Sequence, residues 1–189
     1  MRLTSSLTMA GAVALALAAC DRQEQAAGNA ATTAEAREAA GDQTLAEGLG
    51  GDDSRFADAL KSAGLDKTLA GPGPYTVLIP ANAAFDKLPA GTMDNLNKPE
   101  SRAQLTQLLT YHVLPGTILA EDIAKAIQNG GGKATLATMG GGTVTATREG
   151  DRVVLTDGAG GKAAITKADD KRSNGVIHRI DGVLAPAPA

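Results

Sequence analysis

The sequence predicts an α+β domain, and three observations carry that expectation. Large apolar residues recur from Leu45 to Leu184, a span of about 140 residues, which is long enough to bury a proper core. The first part of the span places them at helical spacing, whereas the second breaks into short β-rich segments separated by glycine tracts. Helices followed by a meander is an α+β order.

Taken along the chain, Phe56, Leu60 and Ala63 fall one turn apart, with Ser54 placed as a cap and Gly64 as a stop. Gly71 to Pro74 reads Gly-Pro-Gly-Pro and forces a turn. Tyr75 to Pro80 is a β-branched strand ended by proline, and Asn82 follows as the expected cap of a helix that turns Phe85 and Leu88 toward the core. A further helix is expected from about Pro99 to Thr110, with Leu105, Leu108 and Leu109 on one face. Strands are then expected at Lys133–Met139, Thr143–Arg148, Arg152–Asp157 and Ala163–Ala168, joined by Gly-rich turns. A last strand runs from Val176 to Leu184, entered through Asn174-Gly175, with Asp181-Gly182 as a bulge or second turn.

Composition narrows the function. The chain has 189 residues and a net charge of −3, without the basic stripe that nucleic acid demands. Aromatics make up only 2%, namely Phe56, Tyr75, Phe85 and Tyr111, too few to anchor the core and also line a stacking platform.

The first 19 residues read as a targeting segment, with Arg2 at its start and a run from Leu7 to Ala19 too short to span a bilayer comfortably. Leu17-Ala18-Ala19-Cys20 resembles the bacterial lipobox, which implies cleavage before Cys20 and acylation of its sulfur. Ala16-Leu17-Ala18 also fits an ordinary A-x-A cleavage site, which would release a soluble protein. Asp21 resembles an inner-membrane retention signal, and the choice of membrane stays open. Residues 20–43 are polar and Ala-rich and read as a tether, 44–186 as the folded domain, and 187–189 as a tail. Removing residues 1–19 takes away one positive charge and no acid, so the mature balance is 17 − 21 = −4.

Three motifs resemble those of the fasciclin family. TVLIPANAAF, from Thr76 through Pro80 and Asn82 to Phe85, is similar to its first signature. Tyr111-His112 with Val113 to Gly116 is similar to its Tyr-His motif. NGVIHRIDGVLAP, containing Asn174, Gly175, His178, Asp181 and Gly182, is similar to its second signature. The resemblance implies a wedge of two small β-sheets packed at a steep angle with several flanking helices. It also implies an adhesion or interaction module, binding a protein or matrix component, or alternatively a carrier of a small apolar ligand such as a lipid or pigment.

Catalytic readings fare poorly. His112 and His178 lack a third metal ligand at a recognised spacing, and each is expected to satisfy backbone groups near the core. Neither a GxSxG elbow nor a phosphate loop is present, since Gly158 to Ala163 lacks the required glycine and hydroxyl. Neither a catalytic residue, a cofactor nor a metal is expected. Tyr111, His112 and Asp169 remain as candidates for interaction. Asp169 aligns with the aspartate of the Asp-Ile integrin-recognition element of animal fasciclin-like proteins, but Asp170 stands where its isoleucine would be. Integrin recognition is therefore not implied.

Overall fold

The computed structural model describes residues 42–187. The signal segment, Cys20 and nearly all of the expected tether lie outside these residues. Gln43, placed in the tether by its sequence, is joined to the domain: its carbonyl accepts the Ser173 N–H at 3.0 Å.

Helix α1 (Ser54–Ala63) begins where expected, and Gly64 ends it in the left-handed conformation at φ 76°. Phe56 and Leu60 are buried on its inner face. Ser54 is not its cap: it is the first helical residue, and its hydroxyl instead accepts a hydrogen bond from Asn82. A short α2 (Asp66–Ala70) follows, and then strand β1 (Tyr75–Pro80). The helix after β1 is the brief α3 (Asn82–Phe85), which carries no side-chain cap; Asn82 is its first residue. Another short helix, α4 (Thr92–Leu96), leads to α5 (Arg102–Tyr111), whose expected start at Pro99 is a separate 3₁₀ turn over Pro99–Ser101. Leu105 and Leu109 are buried and Leu108 is half-buried, as one helical face requires.

Two elements occupy a stretch to which the sequence reading assigns none. Strand β2 (Val113–Pro115) is too short to show a period. Helix α6 (Ala120–Asn129) buries Ile123 and Ile127 one turn apart.

The meander follows as β3 (Lys133–Ala137), β4 (Thr143–Glu149), β5 (Arg152–Thr156), β6 (Lys162–Arg172) and β7 (Gly175–Ile180). Strand β3 stops at Ala137 because Thr138 closes a turn, accepting the Gly142 N–H and donating to its carbonyl. Strand β6 runs four residues past the expected end at Ala168, and β7 stops four short of Leu184. Lys167 to Arg172 form a mixed charge cluster that reads in sequence as a solvated loop, yet Lys167 and Asp170 to Arg172 pair with β7.

The strand order is β2-β1-β7-β6-β5-β4-β3. The two expected sheets are two ladders that share β6. Its first residues pair with β5, and the rest pair with β7 across two register shifts, between Ile165 and Lys167 and between Lys167 and Asp170. These irregularities let one strand leave one ladder and join the other. The bulges thus lie on the partner strand, and Asp181-Gly182, expected as a bulge or second turn, is a bend after β7. Asp181 caps the end of the pairing instead, its carboxylate accepting the Ala164 N–H at 2.7 Å.

Two cores lie on opposite faces of the β1–β7 pair. Val77, Ile79 and Ile177 face the helical core with Phe56, Leu60, Leu105 and Leu109. Leu78 and Ile180 face the other, with Ile123, Val144, Leu155 and Leu184. The alternation follows from the two-residue period of a strand, and burial on both faces explains the nearly continuous apolar run in β7.

Candidate functional site

The Tyr111-His112 pair sits where α5 turns into β2, and neither side chain faces solvent. Tyr111 is 1% exposed; its hydroxyl donates to the Thr143 carbonyl at 2.6 Å and accepts the Gly158 N–H at 3.0 Å. Burial raises its pKa above the ordinary phenol value.

The His112 ring is fully buried, edge-on to Phe56 with centroids 5.7 Å apart. Its Nε2 accepts the Leu184 N–H at 3.0 Å, so the proton belongs on Nδ1, which donates to the Leu108 carbonyl at 2.8 Å. Burial drives its pKa down to about 4 and keeps it neutral. The pair therefore braces the fold: Tyr111 ties α5 to the start of β4 and to the turn after β5, and His112 ties it to the C-terminal segment.

His178 is also fully buried. Its Nδ1 accepts the Asp169 N–H at 3.2 Å, and its Nε2 donates to the Ile118 carbonyl at 2.8 Å. The structure does not bring the two histidines to a common ligand, and among the described residues no three His, Cys, Asp or Glu side chains could hold a metal ion.

Asp169 is exposed but not idle. It has a left-handed backbone, φ 60°, and its carboxylate accepts the Ala120 N–H at 2.8 Å. An anion at the positive end of α6 is favourable, and Asp122 adds a second by accepting the Leu119 N–H. Asp169 thus links β6, β7 and α6, while Tyr111 and His112 lie elsewhere in the fold's interior. The three residues serve separate junctions and form no common surface.

The remaining signature residues also bind elements together. The Thr76 hydroxyl donates to Gly116 at 2.7 Å and accepts the Ile118 N–H at 2.8 Å. Pro80 closes β1 opposite Ile180, and Phe85 is buried in the helical core. Asn174 accepts the Leu45 N–H at 2.8 Å and donates to the carbonyls of Leu69 and Gly71, each at 2.7 Å. Gly175 has to be glycine, because a Cβ there would strike the Tyr75 carbonyl oxygen. At Gly182 a Cβ would come within 2.9 Å of the Lys162 carbonyl oxygen.

Two further sets of hydrogen bonds centre on charged residues. Arg179 holds Asp53, which is 1% exposed, through Nε at 2.9 Å and Nη2 at 2.7 Å, and holds Asp170 through Nη1 at 2.9 Å. Asp170 also accepts from Arg172, whose Nη1 donates to Gln43. Burial alone would raise the Asp170 pKa, but the hydrogen bonds from Arg179 and Arg172 outweigh it and carry the group below its ordinary value. In the turn after β5, Asp157 accepts the N–H groups of Ala159 and Gly161 and, with its other oxygen, that of Ala185. Two of the turn amides that a phosphate loop would offer are therefore already satisfied. An Asp before a glycine tract is a legible turn signal, whereas nothing in sequence pairs Asp53 with Arg179.

The fasciclin domain family matches residues 51–186, and the chain belongs to that family. It is 39% identical to protein sll1483 of Synechocystis sp. over 133 residues, 70% of this chain and 67% of that protein. It is 36% identical to transforming growth factor-beta-induced protein ig-h3 of Sus scrofa, over 69% of this chain and 17% of the relative. It is 35% identical to immunogenic protein MPB70 of Mycobacterium bovis, over 60% of this chain and 51% of the relative. The chain thus spans about half or less of the latter two. Among solved structures, a FAS1 domain pair from the insect cell adhesion molecule fasciclin I matches with TM-score 0.45 and 21% identity, over 84% of this chain and 46% of that one.

Proposed function

We propose that this fasciclin-family chain is a non-catalytic interaction module, exported and tethered to a bacterial membrane through Cys20, that binds a protein or matrix component. The observation that carries the reading is the use made of the family signatures. Thr76, Tyr111, His112, Asp169, Asn174 and His178 each join separate segments through hydrogen bonds, chiefly to backbone groups. Their chemistry is spent on holding a fixed shape, and a fixed shape is what a binding scaffold requires. Fasciclin domains are generally non-enzymatic adhesion domains, which supports the same reading.

The test uses the full chain in its own envelope. Photo-crosslinking groups at exposed Lys167 and Lys171, beside the braced Asp169, should capture a reproducible partner identified by mass spectrometry. Recovery of the chain alone from every exposed position tried would refute the reading. Anchoring is tested separately: Cys20→Ser should move the protein from the membrane to the soluble fraction, and an unchanged distribution would refute acylation.

A further inference from the structure

We infer that the surface formed by α1, α2 and the start of β2 docks an acidic segment of a partner protein that carries one aliphatic side chain. This deepens the interaction-module reading and rests on it. A small apolar dimple marks the spot, walled by Leu60, Leu65, Leu69, Tyr75 and Val113. It has room for about 20 Å³, enough for one water-sized group. Thr110 also lines it, but its hydroxyl donates to the Thr106 carbonyl at 2.8 Å and is satisfied within α5. A water lodged there would lack polar partners, whereas the tip of an aliphatic side chain needs none.

Two further observations define the partner. Met139, at the rim, is 47% exposed, the exposed large hydrophobic residue among those described. It is held there: its N–H donates to the Val113 carbonyl at 2.8 Å, and a Cβ on the next residue, Gly140, would come within 2.7 Å of the Tyr111 nitrogen. Methionine adapts to the side chain that covers it and is enriched where proteins dock. The rim is also cationic, although the whole chain carries −3. Lys61 follows Leu60, Lys67 precedes the wall residue Thr68, and Arg102 Nη2 comes within 3.9 Å of the Cβ position of Gly64, next to Leu65. All three are exposed, and among the described residues none makes an ion pair. Asp66 is the one acid adjoining a wall residue in sequence, so the balance stays positive. Carboxylates on either side of the partner's aliphatic residue would meet these cations. A second copy does not supply that segment, because its exposed Met139 lies between Thr138 and Gly140, without an acid.

The full chain is titrated into a fluorescein-labelled nonapeptide with one central leucine between two pairs of glutamates, read by anisotropy. Carbon-13 labels on the methionine methyls report the place by NMR. Saturable binding that moves the Met139 signal and leaves Met93, packed against the helical core, unmoved is expected. A peptide with serine for the leucine should bind at least about tenfold more weakly. One with glutamines for the glutamates should bind about threefold more weakly and respond less to salt. Met139→Glu and Thr68→Glu, both at exposed positions, should each weaken binding about tenfold with melting unchanged. Absence of saturable binding, equal affinity for the serine peptide, or parental affinity in both rim variants would each overturn the inference. So would movement of the Met139 signal when the chain alone is concentrated, which would make a second copy the occupant. A partner crosslinked at Lys167 or Lys171 while the peptide fails to bind would leave the interaction-module reading standing and remove this surface from it.

Discussion

The side chain of Asn82 accepts the backbone N–H of Arg55 at 3.1 Å, so the residue that opens α3 caps α1, 27 positions earlier in the chain. Its amide nitrogen donates to the Gly51 carbonyl and to the Ser54 hydroxyl. The cap that the sequence places at α3 is supplied across space, from the first residue of α3 to the start of another helix. Asn82→Ala should therefore cost about 1 kcal/mol, a fall of about 2–4 °C in melting temperature for a domain of this size. Asn82→Asp keeps the acceptor and should recover part of it. Hydrogen exchange would locate the loss: protection should fall in the first turn of α1 and hold in α3.

His112 makes the fold sensitive to acid in a defined window. Its pKa falls from 6.5 to about 4 on burial, so between those values the unfolded chain binds a proton that the folded chain does not. Stability then rises with pH across the window: its loss begins as pH falls through 6.5 and is complete below about 4. Between pH 7 and 5 the expected loss is about 2 kcal/mol, read from denaturant midpoints. His112→Gln should flatten that slope while lowering stability at pH 7. Asp170, held below its ordinary value, loses its contribution only at lower pH, as it protonates, so the two windows separate.

Ile177 is fully buried on the face of β7 that meets the helical core, beside Val77 of β1. Ile177→Ala should cost about 2–5 kcal/mol, the range for truncating a core aliphatic. A loss below 1 kcal/mol in equilibrium unfolding would contradict its place in the core.

The contrast between β7 and β6 shows what a sequence can reveal here. An apolar run after Asn174-Gly175 announces a strand buried on both faces, and a proline after Tyr75 to Ile79 announces the end of β1. Those signals are local, and the structure follows them. Lys167 to Arg172 carry charges that locally resemble a solvated loop, and only the partners on β7 and near Asp53 make them strand. The same holds for the candidate site. The burial of His112 and His178 follows from their apolar neighbours, but the groups that receive their hydrogens, Leu108 and Ile118, are backbone carbonyls without any residue signature. Asp169 was legible as polar and exposed; that it caps α6 was not, because α6 lies 49 residues away from it.

The Asp53–Arg179 pair gives the sharpest test of these non-local links. Asp53 is almost wholly enclosed while Arg179 keeps one edge toward solvent, with side-chain exposures of 1% and 20%. Removing the arginine leaves a buried carboxylate without its counterion, whereas removing the acid leaves a cation that can still turn to Asp170 and water. Arg179→Met should thus destabilise the fold by about 3 kcal/mol, and more than Asp53→Leu does. The double variant Asp53→Leu with Arg179→Met should recover much of the loss, since burying both ions costs solvation that an apolar pair avoids. A double-mutant cycle on urea midpoints reads all three. Equal costs for the two single variants, or additive losses in the double, would show that the pair is not coupled as its geometry requires.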